Sequence, residues 1–348
     1  MFLQSIAVLY QAAPVPKQGD TPKPMKAGGY RDSGADIAYA LKRRNVPIVT
    51  PVERPNPSCE LDWVFEDSPA GFKTALELGA NVLWTNTVLY PGHPLDSWTE
   101  VARIGQPTSV ALIAENKSLM DDWLLRGGFP AVPHQVLAVA EHPDAPFPFP
   151  LIVKPVRGRG SQGVVWVNSV TDWDRVLVAW PENRFGPLLL VEPALPGIEI
   201  TVTVMPSGEY DIAGRVVPHE TCWTLPIIER FGHVAGIMPY SGVVAVRDNS
   251  RVWQMSNAPG EELARCCADI GTSLGIRAPL RIDARADGNG RFRIFDVNMK
   301  PNLTGPGRPG RDNQASLVAM AGEAIGWSYE DLLENIARQW WLAGAESS

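Results

Sequence analysis

Two runs near the C-terminal end, Arg281-Ile282-Asp283-Ala284-Arg285 and Phe295-Asp296-Val297-Asn298, flank the turn-forming stretch Asp287-Gly288-Asn289-Gly290. An Asp-Gly turn between alternating runs reads as an antiparallel hairpin. Closed on Gly288 and Asn289, it sets Asp283 opposite Ile294 and Arg281 opposite Asp296. Side chains alternate along a strand, so Arg281, Asp283, Asp296 and Asn298 share one face. Two carboxylates and a carboxamide oxygen are hard donors of the kind Mg²⁺ takes, its octahedron completed by water and phosphate oxygens. The neighbouring arginine would balance charge or steady an anion. The competing reading is an edge hairpin of solvated residues, and a one-residue change of loop length would move Asp283 to the other face.

The run Gly158-Arg159-Gly160-Ser161-Gln162-Gly163 follows the apolar strand Leu151-Ile152-Val153-Lys154 and matches the dinucleotide fingerprint by letter. That fingerprint needs a helix next, whereas Val164-Val165-Trp166-Val167 is β-branched and aromatic and predicts a strand. No Gly-Lys-Ser/Thr follows, so it is not a Walker A loop either. What remains is a strand, glycine loop, strand hairpin whose bare amides can fold over phosphates, with Lys154 as a point charge beside them. A plain mobile surface hairpin is the alternative. Further on, Leu188-Leu189-Leu190-Val191-Glu192 breaks at Pro193, turns through Pro196-Gly197 and resumes after Glu199. Such a break frees backbone groups that can read a base edge, and Glu199 can accept from two ribose hydroxyls; ordinary turn residues are the alternative.

These pieces need a scaffold, and 348 residues supply enough chain for two or three domains. A net charge of -7 argues against a nucleic-acid surface. No run approaches the length of a membrane span, and Met1 to Tyr10 lacks the positive start of a signal peptide, so a cytoplasmic location is expected. Cys59, Cys222, Cys266 and Cys267 show no metal-ligand spacing and are expected to be reduced core thiols. The opening strand Ser5 to Tyr10, a Pro/Gly loop, a helix Ser33 to Arg44 and a strand Val46 to Val49 begin a parallel α/β unit. A helix Ala70 to Gly79 and a strand Asn81 to Thr85 continue it. Beyond it lie a helix Lys117 to Arg126, a helix Asp172 to Trp180 capped by Thr171, and an α+β remainder. The helices Glu261 to Leu274 and Tyr329 to Trp341 bracket the hairpin, and the stripe Leu332, Leu333, Ile336, Trp340 predicts core packing.

Taken in order, these motifs resemble the ATP-grasp superfamily, and most closely its D-alanine–D-alanine ligase-like branch. The resemblance covers roughly residues 112 to 325. It rests on Lys117 opening a helix, Phe149-Pro150-Leu151-Ile152-Val153-Lys154-Pro155 with the glycine loop, Val191-Glu192 through Glu199-Ile200-Thr201-Val202, Arg281-Ile282-Asp283, and Asp296-Val297-Asn298. It implies an ATP-grasp fold of mixed α/β and α+β class with an N-terminal Rossmann-like domain. The implied division is residues 1–105, a lid of 106–183 and a catalytic part of 184–348. By position, Lys117 and Lys154 would contact ATP phosphates, and the loop through Gly160, Ser161 and Gly163 would cover them. Glu192, Pro193, Ala194 and Leu195 would line the adenine, and Glu199 the ribose. Asp283, Asp296 and Asn298 would bind Mg²⁺, two ions with Mn²⁺ able to substitute, and Arg281 would meet the oxyanion of a tetrahedral intermediate.

The chain departs from the branch at Met299-Lys300-Pro301-Asn302-Leu303-Thr304, where a small polar pair followed by Pro-Gly is usual; Asn302 stands in place of that glycine. Arg308 and Arg311, in a Gly/Pro loop, would either clamp a substrate carboxylate or be solvated. Asp32 would hold a substrate ammonium or cap its helix. In the segment from Arg215 to Arg247, which lacks a clear counterpart, Arg215, His219, Arg230 and His233 compete as a phosphate-contacting base. A metal site of His219, Cys222 and His233 is disfavoured for want of ligand spacing. The implied activity is ATP-dependent joining of a carboxylate and an amine, amino acids among the expected substrates, through an acyl phosphate with release of ADP and phosphate. A homodimer is implied as well. Rival readings are another ATP-grasp phosphoryl-transfer enzyme, a kinase or a thioester-forming synthetase, or a nucleotide-binding module without turnover.

Overall fold

The computed structural model describes residues 4–182, 184–237, 246–254 and 258–343. A four-stranded parallel sheet comes first, ordered Phe65–Glu66, Ile6–Tyr10, Val82–Trp84, Ala102–Ile104. Its two inner strands, Ile6–Tyr10 and Val82–Trp84, are short apolar runs buried almost throughout, as parallel strands covered by helices should be. The expected strand at Val46 to Val49 is only a single parallel bridge, Ile48 to Ile6. Helix Arg31–Arg43 covers this sheet and follows Tyr30, which sits in the left-handed region at φ 66. Asp32 lies in the first turn and does not cap the helix.

A four-stranded antiparallel sheet runs in the order Gln135–Ala138, Leu188–Pro193, Leu151–Pro155, Val165–Val167. The glycine loop joins its last two strands in space, so the expected hairpin is present and no helix follows the glycines. Helix Val170–Ala179 packs Trp173 and Leu177 under this sheet. Its N-cap is Ser169, whose hydroxyl accepts from Asp172 N–H at 3.2 Å, rather than Thr171.

The largest sheet is ordered Ser250–Val252, Ile228–Arg230, Glu199–Met205, Leu280–Ala286, Phe292–Asn298, with Trp223–Thr224 also on Glu199–Met205. Ile200, Val202, Leu280, Ile282 and Ala284 pack with Leu263, Cys267 and Ile270 of helix Ala258–Leu274. The polar residues between them are therefore turned to the opposite face. The hairpin register differs from the expected one. Asp287 and Arg291 close a three-residue loop with Gly290 at φ 77, a loop class that takes a residue in the left-handed region. A bulge between Asp283 and Ala284 shifts the pairing again, so that Asp283 faces Asp296 and Arg281 faces Asn298.

Helices Leu317–Glu323 and Tyr329–Ala337 return to the parallel sheet. Leu317, Leu332, Leu333 and Ile336 share a core with Ile6, Ile37 and Leu41, while Trp340 is 40% exposed and leaves the expected stripe. Cys59 is exposed, unlike the core thiol expected, and all four cysteines are free. Among the described residues no helix is long and apolar enough to cross a membrane.

Candidate functional site

Three cross-strand rows line the polar face of the large sheet. Arg230, Glu199 and Arg285 form one; Thr201, Asp283 and Asp296 the next; Thr203, Arg281 and Asn298 the third. Arg281 donates to Asp283 through Nε at 3.1 Å and Nη2 at 2.8 Å, and Thr201 Oγ1 donates to Asp283 Oδ1 at 2.7 Å. Across the hairpin, Asp296 accepts from Lys117 Nζ. Burial raises the Asp283 carboxyl, with Asp296 and Glu199 adding to it and Arg281 opposing. Burial acts the same way on Asp296, but Lys117, Lys154 and Arg281 outweigh it and hold that carboxyl below its usual range. Among the described residues no three His, Cys, Asp or Glu group into a metal cluster. The donor set is thus two carboxylates and the Asn298 amide, which fits a hard cation that takes its other ligands from water and phosphate.

The smaller antiparallel sheet brings its own charges to this face. Lys154 is almost wholly buried, 2.5 Å from Glu192 Oε1 and donating to Phe295 O at 2.8 Å. Burial works against its ammonium, yet Glu192 and Asp121 outweigh this and keep it charged. Asn116 caps helix Lys117–Arg126 by accepting from Ser118 and Leu119 N–H, which places Lys117 at the helix mouth. Asp121 lies one turn further along the same face, buried, with Oδ2 lacking a hydrogen-bond partner among the described residues. Sequence reasoning missed it, although its spacing from Lys117 is a helical i, i+4 pair.

Burial pushes the Asp121 carboxyl well up; Lys154 and Lys117 oppose this, and Glu192 and Asp296 add to it. The folded state therefore keeps a proton that the unfolded chain releases. Its stabilisation is full below the ordinary carboxyl value and is lost as pH rises from there toward the raised folded value. Asp121→Asn preserves the neutral shape and is expected to flatten that decline. Urea midpoints taken from about pH 4 upward measure it, and parallel slopes in the two proteins would exclude Asp121 as the cause.

Both sheets close on a cavity of about 450 Å³. Lys117, Lys154, Gly160, Ser161, Glu192, Pro193, Leu195, Glu199, Arg281, Asp283, Asp296, Asn298, Asp32 and Asn302 all line it. Four expected residues lie outside the lining. Gly163, at φ +74, is backed so closely by Phe185 and Pro155 that a Cβ would meet them at 2.5 and 2.8 Å. Ala194 N–H is spent on Pro150 O at 3.0 Å. Arg308 and Arg311 are not simply solvated but paired within the fold: their Nε atoms lie 2.8 and 2.7 Å from Asp36 Oδ1, and Arg308 is 4% exposed.

Of the four competing bases, Arg230 reaches the cavity. His233 is 2.8 Å from Glu199 Oε2, His219 stacks on Trp223 at 4.2 Å between centroids, and Arg215 lies on the exposed two-stranded ribbon. Residues 238–245 of that segment are outside the described residues. Asp32 accepts from Lys26 Nζ at 2.8 and 2.7 Å. The loop before it is tied down by Arg157, which donates to Pro16 O and Thr21 O at 3.0 Å, and by Glu115, which pairs Lys23 at 2.8 Å.

Two antiparallel sheets closing on a polar cavity, one of them carrying a glycine loop, define the ATP-grasp fold. The D-alanine–D-alanine ligase of Bacillus anthracis complexed with ATP superposes with a TM-score of 0.66 at 16% identity, covering 97% of both chains. VanG D-Ala:D-Ser ligase from Enterococcus faecalis gives 0.63 at 12% identity, over 97% of this chain and 99% of that one. In sequence, the D-alanine–D-alanine ligase of Ectopseudomonas mendocina is 29% identical over 223 residues, 59% of this chain and 59% of the relative. That of Pseudomonas entomophila is 26% identical over 222 residues, 59% of this chain and 58% of the relative. The chain thus spans less than two thirds of the length of these curated relatives. No protein-family model matches it. The chain has the ATP-grasp fold and is D-alanine–D-alanine ligase-like in sequence and in structure.

Proposed function

We propose that the chain is an ATP-dependent carboxylate–amine ligase that joins amino acids through an acyl phosphate and releases ADP and phosphate. The observation that carries this reading is the pair Asp283 and Asp296, face to face beneath Lys117 and Lys154. A carboxylate resists nucleophiles because it is anionic, and accepting the γ-phosphoryl of ATP gives it a leaving group. Lys117 and Lys154 bind the phosphates, and the loop at Gly160 and Ser161 closes over them to keep the acyl phosphate from water. Pro193 and Leu195 line the adenine with Glu192 behind them, and Glu199, oriented by His233, takes the ribose. Asp283, Asp296 and Asn298 would hold Mg²⁺, which screens the charge that builds during phosphoryl transfer. Two ions, replaceable by Mn²⁺, belong to this proposal, as does a homodimer.

The amine then attacks the acyl carbon, Arg281 donates to the oxyanion, and phosphate departs. Asp32 and Asn302 face the substrate end of the same cavity. The division into residues 1–105, 106–183 and 184–348 belongs to this proposal, with the qualification that strand Leu188–Pro193, numbered in the third part, completes the sheet that carries the glycine loop. ADP release measured with Mg²⁺ across a panel of amino acids, together with trapping of an acyl hydroxamate by hydroxylamine, tests the reading. Stimulation by at least one carboxylate and amine pair is expected. If none raises ADP formation above ATP alone, the ligase reading fails.

A further inference from the structure

Lys300 lies just past the metal-facing end of the hairpin, where its N–H donates to Asn298 Oδ1 at 3.0 Å. Its stem is half-buried, and its Nζ is shielded from solvent with no hydrogen-bond acceptor among the described residues. That nitrogen lies 3.5 Å from the centroid of the Tyr30 ring. Lys26 and Arg159 address the same ring at 5.2 and 5.5 Å. The carboxylate nearby, Asp32, already takes two hydrogen bonds from Lys26. A buried amine without an acceptor is costly to charge, and a ring face offsets only part of that cost. Lys26, Tyr30, Asp32, Arg159, Lys300 and Asn302 line the cavity together. The Tyr30 end of the cavity thus holds three cations, Lys26, Arg159 and Lys300, with Asp32 as the acid beside them, whereas Asp283 and Asp296 are each paired with a cation of their own.

We propose that Lys300, backed by Tyr30 and flanked by Lys26 and Arg159, is an anion subsite for a second carboxylate of the substrate, so that the ligase takes a dicarboxylic amino acid. This rests on the ligase reading and narrows it. A carboxylate entering there supplies the acceptor that the Lys300 amine lacks and favours its charged form, in a charge-assisted bond that a neutral side chain cannot replace. Three elements build the subsite: the loop before helix Arg31–Arg43, the glycine loop through Arg159, and the segment after the hairpin. Closing the glycine loop would bring Arg159 toward a bound anion, so recognition and water exclusion are coupled.

Calorimetric binding of aspartate, glutamate and alanine, in both enantiomers, to the full chain loaded with Mg²⁺ and a non-hydrolysable ATP analogue tests this. A dicarboxylic amino acid is expected to bind at least about tenfold tighter than alanine. Lys300→Met is expected to remove that preference, leave the affinity for the ATP analogue and alanine unchanged, and raise KM for the dicarboxylic substrate more than it lowers kcat. Lys300→Arg should restore part of the preference, which a merely structural role would not predict, and equal melting temperatures guard against misfolding. The inference is overturned if wild type does not favour a dicarboxylic amino acid, if Lys300→Met and Lys300→Arg both bind as wild type does, or if the ATP analogue is lost in parallel. Lys300-dependent binding without ADP release would leave the subsite standing and sink the ligase reading. ADP release with neutral amino acids alone, unchanged in Lys300→Met, would do the reverse.

Discussion

Asp283→Asn is expected to lower amino-acid-dependent ADP release by about a thousandfold, equivalent to roughly 4 kcal/mol of transition-state stabilisation. The substitution keeps an oxygen for Thr201 Oγ1 and much of the volume, so the sheet should survive. What it removes is the negative charge that pairs with Arg281 and faces Asp296. Arg281 would then lose its ion pair and keep only the longer-range attraction of Asp296 and Glu199, and the donor set for a hard cation would drop to one carboxylate. Arg291→Ala, on the exposed turn of the same hairpin, is the matched control and should leave turnover unchanged. Steady-state rates of the three proteins decide the matter: activity of Asp283→Asn within about tenfold of wild type would rule out the metal role.

The second large effect concerns stability. Asp36 is fully buried in helix Arg31–Arg43 and gathers Arg308 Nε at 2.8 Å, Arg311 Nε at 2.7 Å and Thr304 Oγ1 at 2.7 Å. It ties the loop after the catalytic hairpin to the N-terminal helix. Asp36→Ala leaves the buried Arg308 guanidinium with only Glu60, 3.7 Å from its Nη2, as countercharge, and losing one partner of a buried ion pair costs about 3–5 kcal/mol. For a chain of this size a fall in melting temperature on the order of 10 °C follows. Thermal unfolding followed by circular dichroism measures it, and a shift under about 2 °C would mean that the arginines find other acceptors.

The end of the cavity lined by Lys117, Lys154, Glu199, Asp283 and Asp296 was legible because those residues sit in short motifs with fixed local geometry. Alternation alone put Arg281, Asp283, Asp296 and Asn298 on one face, and β-branched residues after the glycines ruled out a dinucleotide fold. Register was not legible. A three-residue loop and a bulge between Asp283 and Ala284 are two shifts of pairing that composition does not announce. Arg308 and Arg311 were misjudged because their partner, Asp36, lies far away in sequence and looks like any helical acid. Asp121 and Lys300 were overlooked for a related reason: burial of a single charged atom depends on what folds over it. The strand at Val46 to Val49 shrank to one bridge at Ile48, since periodicity cannot say whether a neighbour lies alongside.

The two ends of the chain share one apolar interior, in which Leu317, Leu332 and Ile336 are interleaved with Ile6, Ile37 and Leu41. The sheet carrying the glycine loop keeps a separate interior built on Leu151, Val153, Trp173 and Leu189. The parallel sheet and the closing helices are thus packed as one body. A fragment ending before Leu317 would strip that body of the helices that cover it and leave an oily, unclad face.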